Sequence, residues 1–387
     1  MGDIIIGQAW RKNHIFYLAA SDSNSGPSKI ENKVEKEIKR LESGDEDARK
    51  DAAYALLELA NENIPSDLKQ KMTAPLARAL GDKNERVRDF AASGLIFLAT
   101  PENSPAVRSA AVDSLIVALK DKNATVRQAA SNALFRLAQS GLSPSLKSRI
   151  VPSLIEATKE GNMFVPEDAA RALCYLVGPD IPADLNRKIV DCFIELLVGS
   201  IHRDYVGAAF SSIADAKISP ELKSRALDAI IGALRHSDYV IRETAASVLG
   251  DFGKSDSPPA IRQKAMDALF KALRSEYSDV RFSAAETLGD LAGSGIAPDT
   301  KARAVAFLID SMSDDDWFVR GYVVDALADY AKSNVPPNLK SRITNSLIGA
   351  LRDGNESVRN DARLALEDVG RSDISPELKA RISKALR

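Results

Sequence analysis

Histidine and cysteine build most metal centres and many nucleophilic sites, and this 387-residue chain has few of either. Its histidines are His14, His202 and His236, none followed by Glu and no two close together, so a histidine-rich metal site is not expected. Cys174 and Cys192 are too few for a disulfide framework or a four-thiolate zinc site. Each reads as a small buried hydrophobe, although neighbouring predicted helices would let the two thiols face each other. The sequence has no G-x-x-x-x-G-K phosphate loop, no G-x-S-x-G elbow and no metalloprotease helix. The expectation is a protein without catalytic residues, metal or cofactor.

Two other patterns suit binding. Basic residues recur at one helical position, at Lys71, Arg149, Lys188, Arg225, Lys264, Arg303, Arg342 and Arg381, with Ala110 interrupting them. Such a ladder could follow a phosphate backbone. Acids stand four residues earlier (Asp67, Asp184, Glu221, Asp299, Glu377) or three later (Asp191, Asp228, Asp267), where helix-surface ion pairs would neutralise it. Arg149 and Arg342 have neither neighbour. The second pattern is aromatic: Phe164, Tyr239, Tyr277 and Trp317, with Phe318 beside the last, occupy short turn segments whose earlier equivalents read SGDEDAR, DKNERVR and DKNATVR. These rings would form an exposed row for a protein partner, or fold down as wedges between neighbouring units.

What positions these residues is a repeat. The Arg of the phrase VRxxA and its variants recurs at Arg49, Arg88, Arg127, Arg203, Arg242, Arg281, Arg320 and Arg359, with Pro166 at the remaining place; the steps are 39, 39, 39, 37, 39, 39, 39 and 39. Three, seven and ten residues after each anchor come a small or β-branched residue and two apolar ones, as in Ala52, Leu56 and Leu59, which is one stripe of a helix. A connector such as KISPELKSR (217–225) then starts a second helix with Pro in its first turn, for example Pro220 to Leu234, burying Leu222, Leu227, Ile230, Ile231 and Leu234. Residues 28–42 read as a lone second helix with a polar face, suited to capping a stack. A 39-residue helix pair cannot bury both faces alone, so neighbours must stack.

The phrases DKNERVRDFAASGL, DKNATVRQAASNAL, HSDYVIRETAASVLG and DGNESVRNDARLAL resemble HEAT repeats, particularly the short phycobilisome-lyase-like type, over about residues 28–387. The resemblance implies an all-α, right-handed α-solenoid of about nine two-helix repeats, beginning near 43, 82, 121, 160, 197, 236, 275, 314 and 353, with first helices convex and second helices concave. It also implies a ladder between repeats, made by a turn Asp and the Arg six residues later: Asp82 with Arg88, Asp121 with Arg127, Asp314 with Arg320 and Asp353 with Arg359. Ser43, Leu197, His236 and Ser275 replace that Asp and Pro166 replaces one Arg, so the pattern that would carry the ladder is interrupted from repeat four to repeat seven. Pro166 and the 37-residue step also predict a bend or loose joint between repeats four and five.

HEAT-like enzymes do not fit. Deoxyhypusine hydroxylases use His-Glu pairs, absent here, and HEAT-type glycosylases use a basic groove with a central Trp, whereas Trp10 lies in the N-terminal segment and Trp317 in a turn. A formal charge of −2 and acidic first helices (Asp251, Glu286, Asp290, Asp325, Asp329, Asp368) argue against nucleic acid. No run approaches a membrane span, and the short apolar run Ile15 to Ala20 is too small for a signal peptide. Residues 1–27 read as a poorly ordered leader, and the cysteine usage suits a cytoplasmic protein. The expected function is a non-enzymatic scaffold binding a protein or extended peptide on its concave face or turn edge, through Phe164, Tyr239, Tyr277, Trp317, Arg149 and Arg342. A bilin-lyase-like cofactor handler and a nucleic-acid binder are the alternatives, and oligomeric state is not specified by the sequence.

Overall fold

The computed structural model describes residues 27–160, 164–199 and 205–387. The leader with Trp10 and His14, the 161–163 segment, and His202 and Arg203 at the expected joint lie outside the described residues.

Every described element is an α-helix, and the chain divides into two compact units, one ending at Ala133 and one beginning at Leu134. In the first, α1 (Pro27–Ser43) is the lone cap helix, followed by α2 (Glu46–Asn61), α3 (Ser66–Ala79), α4 (Glu85–Leu98), α5 (Pro105–Ala118) and the start of α6 (Ala124–Ser140). The cap packs on both α2 and α3, while α2 packs on α4 and α3 on α5.

The second unit continues from α6 through α7 (Pro144–Ala157), α8 (Phe164–Leu176), α9 (Ala183–Val198), α10 (Val206–Asp215), α11 (Pro220–Ala233), α12 (Tyr239–Lys254) and α13 (Pro259–Ala272). It closes with α14 (Ser278–Asp290), α15 (Pro298–Ser311), α16 (Trp317–Lys332), α17 (Pro337–Ala350), α18 (Glu356–Arg371) and α19 (Pro376–Ala385). From α8 onward, first helices (even-numbered) pack on first helices and second helices on second helices. Each unit is thus an all-α solenoid of stacked helix pairs.

The stripe three, seven and ten residues past each anchor is the core: none of its residues is more than 5% exposed, from Ala52, Leu56 and Leu59 to Ala362, Leu366 and Val369. Close approach of first helices needs small residues; a Cβ on Gly250 would stand 2.5 Å from Thr287 Cγ2 of the next first helix. Second helices bury Leu222, Leu227 and Ile230 as expected, but Ile231 and Leu234 are only half-buried and border a groove between α11 and α13.

Local signals set the helix ends. Asn84, Asp238, Asp316 and Asn355 accept backbone N–H groups in the first turns of α4, α12, α16 and α18. Pro at the first turn opens most second helices, where its missing donor costs nothing. Among the described residues no helix is long and apolar enough to cross a membrane.

Candidate binding surface

Two faces and one edge of the helix stacks carry polar chemistry, and their geometry separates what is structural from what is free. The anchor Arg is structural. Its Nη1 donates to the carbonyl six residues back in its own turn, as in Arg88 to Asp82, Arg242 to His236, Arg281 to Ser275 and Arg320 to Asp314. Because a backbone oxygen accepts, the residue type at that turn position does not matter. The turn side chain has a separate task, receiving the amide two residues on: Asp82 and Asp314 do so through a carboxylate, His236 through Nδ1 and Ser275 through Oγ.

The same Arg also reaches into the next repeat. Arg49 pairs with Asp82 at 2.6 Å, Arg281 with Asp314 at 2.7 Å and Arg320 with Asp353 at 2.8 Å, each with a second guanidinium bond. Arg242, facing Ser275 where an Asp was expected, pairs instead with Asp279 at 2.7 Å. Although the sequence pattern is interrupted through repeat seven, the ladder is kept at the repeat six to seven and seven to eight steps: Asp279 substitutes from the first turn of α14, and His236 and Ser275 keep the turn.

The basic column of the second helices is neutralised in part, and not as the spacing suggested. Arg225 pairs with Asp191, Lys264 with Asp228 and Arg303 with Asp267, so acids on one second helix serve bases on the next, across repeats rather than within a helix. Lys71 likewise reaches Glu31 and Glu35 of the cap. Arg149 is also engaged by its surroundings. Arg342 faces Ala306 at the equivalent place and makes no ion pair among the described residues. These pairs are largely solvent-exposed, and their attraction is correspondingly small.

A second ladder with the same repeat period, not singled out by the sequence analysis above, comprises Lys69, Arg108, Lys147, Asn186, Lys223, Arg262, Lys301, Lys340 and Lys379. Lys223 Nζ donates to Ala214 O at 2.6 Å and to Ser257 Oγ, and Lys301 Nζ to Ala292 O at 2.7 Å, so a buried ammonium satisfies the carbonyl end of its repeat's first helix. Burial holds the Lys223 and Lys69 ammonium groups below the usual lysine range. Asn186 does the same work neutrally, bonding the Gly178 N–H and carbonyl.

The sequence-predicted aromatics divide. Tyr277 is no part of an exposed row: it is half-buried beneath Arg242, whose guanidinium carbon stands 4.2 Å from the ring centroid. Phe164, Tyr239 and Trp317 are 49, 58 and 44% exposed. Trp317 leads into a cluster that sequence reading missed. Phe318, itself 42% exposed, meets Trp317, Phe282 and Tyr322 edge-on, and Phe282 stacks on Tyr322 with centroids 5.2 Å apart. The rings run from the turn edge of α16 onto the first-helix face.

That face is acidic. Burial, then the charges of Asp279 and Glu286, pushes the Glu243 carboxyl up; burial, then Asp361 and Asp329, does the same to Asp325; burial alone raises Asp361. The cations nearby are committed: Arg242 to Asp279, Lys254 to Asp251, and Lys332 to Asp329 and Asp368. Beside Phe282, a groove of about 350 Å³ is lined by Glu243, Thr244, Ser247, Asp251 and Glu286, among others.

The thiols do not meet. Cys192 Sγ lies 3.3 Å from Thr158 Oγ1, whereas Cys174 donates to Ala170 O, and burial pushes the Cys174 thiol up to about 11. Among the described residues no three His, Cys, Asp or Glu side chains are placed to hold a metal ion.

These features define a frame of stacked helix pairs, and comparison with known proteins gives the class a name. Residues 260–328 match the HEAT repeat family, and residues 53–178 match non-SMC mitotic condensation complex subunit 1. The chain therefore carries HEAT repeats. Among solved structures, importin beta is 15% identical with a TM-score of 0.61, covering 92% of this chain and 48% of that one. Kap121p is 13% identical with a TM-score of 0.67, covering 91% of this chain and 38% of that one. Kap121p bound to Pho4p is 14% identical at 0.66, with the same coverages. The chain thus spans about half the length of importin beta and less of Kap121p. No curated protein matches it.

Proposed function

We propose that the protein is a non-enzymatic scaffold that docks another protein or an extended peptide. The observation that carries this reading is the ring cluster in which exposed Trp317 and Phe318 lead onto half-buried Phe282 and Tyr322, keeping apolar surface in solvent on a frame that buries its core stripes thoroughly. Exposed aromatics of this kind are the usual anchors of protein interfaces. The fold neighbour Kap121p, seen bound to Pho4p, supports the reading at the level of the frame. Nucleic acid fits poorly, since half of the basic column, Lys71, Arg225, Lys264 and Arg303, is ion-paired and the first-helix face is acidic.

Of the two surfaces expected from the sequence, the concave face and the turn edge, the reading takes the turn edge and extends it onto the first helices of the second unit. Affinity capture with wild type and with a Tyr239→Ala, Trp317→Ala, Phe318→Ala variant tests it, after both show equal helicity. A protein retained by wild type and lost by the variant supports the docking surface. Identical captured sets rule it out.

A further inference from the structure

We propose that the first-helix face of repeats six to nine binds a cationic peptide segment, whose Lys or Arg side chains lie against Phe282 and Tyr322 and are neutralised by Glu243, Glu286, Asp325 and Asp361. The proposal rests on the scaffold reading above and names the chemistry of the partner.

Three observations converge on it. First, four successive first helices, α12, α14, α16 and α18, each contribute one carboxylate without an ion pair among the described residues: Glu243, Glu286, Asp325 and Asp361. A free carboxylate on a folded surface is ordinary. A file of four is not, because the same face supplies Arg242, Lys254 and Lys332, and all three are bound to other acids. The fold thus leaves this file without an ion pair of its own, with Arg242 offsetting Glu243 and Lys332 offsetting Asp325 only in part, and a cationic partner would complete the compensation.

Second, the file runs beside aromatic faces. Phe282 and Tyr322 stack at 26° and 5.2 Å, and the charges of Glu286, Asp325 and Glu243 all act on the Tyr322 hydroxyl. A ring face flanked by carboxylates attracts a guanidinium or ammonium by quadrupole and charge together. The protein uses this chemistry internally, where Arg242 stands over Tyr277 and is bound by Asp279.

Third, the geometry selects an extended polycation over a single ion. No three acidic or other ligating side chains among the described residues converge on one point, so a metal ion is not the occupant. Packed helices stand about 8–10 Å apart, and a polyproline II chain advances about 3.1 Å per residue with three residues per turn, so cations at every third residue share one face and would meet one carboxylate per repeat. The groove of about 350 Å³ between Glu243, Glu286 and Phe282 gives the first such side chain a seat.

The test uses the full chain and a fluorescent peptide bearing Arg at every third residue, with a Gln counterpart, followed by anisotropy at low and physiological salt. One variant carries Glu243→Gln, Glu286→Gln, Asp325→Asn and Asp361→Asn; a control removes the same charge elsewhere, with Glu31→Gln, Glu42→Gln, Asp47→Asn and Glu85→Gln. A third variant, Phe282→Leu with Tyr322→Leu, keeps the charges. Equal helicity and melting by circular dichroism qualify each protein. The expected result is binding of the Arg peptide alone, weakened at least about tenfold in the first variant and severalfold in the third, with the control within about twofold of wild type. Equal weakening in the first variant and the control means attraction to net charge and overturns the proposal. Absence of binding to wild type also overturns it, yet leaves the scaffold reading standing if capture still depends on Trp317 and Phe318.

Discussion

Arg242 bonds Asp279, 37 residues further on, whereas Arg49, Arg281 and Arg320 bond an Asp 33 residues on. The ladder therefore depends on a carboxylate within reach of the guanidinium rather than on one register. Asp279→Ala should leave a nearly buried guanidinium with only its backbone acceptors at His236 and Ser237 and cost about 1.5–3 kcal/mol. Adding Ser275→Asp to Asp279→Ala rebuilds the usual register and should restore most of the loss, measured by urea unfolding. A double variant no more stable than the single one would show that the two registers are not interchangeable.

Acid should expose the ladder and the acidic face with opposite signs. The Arg320 guanidinium bonded to Asp353 holds its carboxyl below the usual range, so the folded state binds fewer protons than the unfolded chain there. That stabilisation is complete above the unfolded carboxylate range and is lost as pH falls through the lower folded value. Asp353→Asn should therefore destabilise the protein at neutral pH, with the difference from wild type closing only in strong acid.

Asp325 behaves in reverse, because burial raises its carboxyl and the folded state disfavours the charge. Asp325→Asn should raise the melting temperature at neutral pH, and the gain should vanish once pH is below the unfolded carboxylate range. Thermal melts across that range check both signs, and a destabilised Asp325→Asn protein at neutral pH would contradict the only partly compensated charge.

Much of this was legible in the sequence, for a physical reason. Core stripes are fixed by helical period, so Ala245, Leu249 and Phe252 announce themselves without coordinates. Partners across repeats are not fixed so tightly. The acids near Lys264 and Arg303 were visible, but choosing a neighbour on the same helix or on the next helix requires the stacking geometry, and the structure chooses the next. Asp279 was invisible as a rung because it stands off the repeat position. Tyr277 and Trp317 look equivalent in sequence, yet Arg242 covers one ring while Phe318 leads the other into an open cluster. The Lys223 and Lys301 column could have been found from its period; its task, receiving helix-end carbonyls, could not.

That column makes a graded prediction. Lys301→Ala leaves the buried Ala292 carbonyl without its side-chain donor and should cost about 1–3 kcal/mol. Lys223→Ala should cost less, because Ser257 Oγ also donates to Ala214 O. Denaturant midpoints give the order; a larger loss at Lys223 would contradict the carbonyl-capping account.

The Cys174 thiol, pushed up to about 11, should be a poor nucleophile in the folded protein. At mildly alkaline pH its thiolate fraction is roughly a hundredth of that of a free thiol, so alkylation should be slower by about that factor until the protein unfolds. Mass spectrometry after timed iodoacetamide exposure checks this, and rapid native-state labelling would show an activated cysteine.

Docking through the ring cluster is tested most directly by placing a photo-cross-linking amino acid at Phe318, and separately at Ile231 on the second-helix face, in the source cells. A discrete cross-linked protein from position 318 and none from position 231 is the predicted result. Adducts from position 231 with none from 318 would move the site to the opposite face and contradict the account.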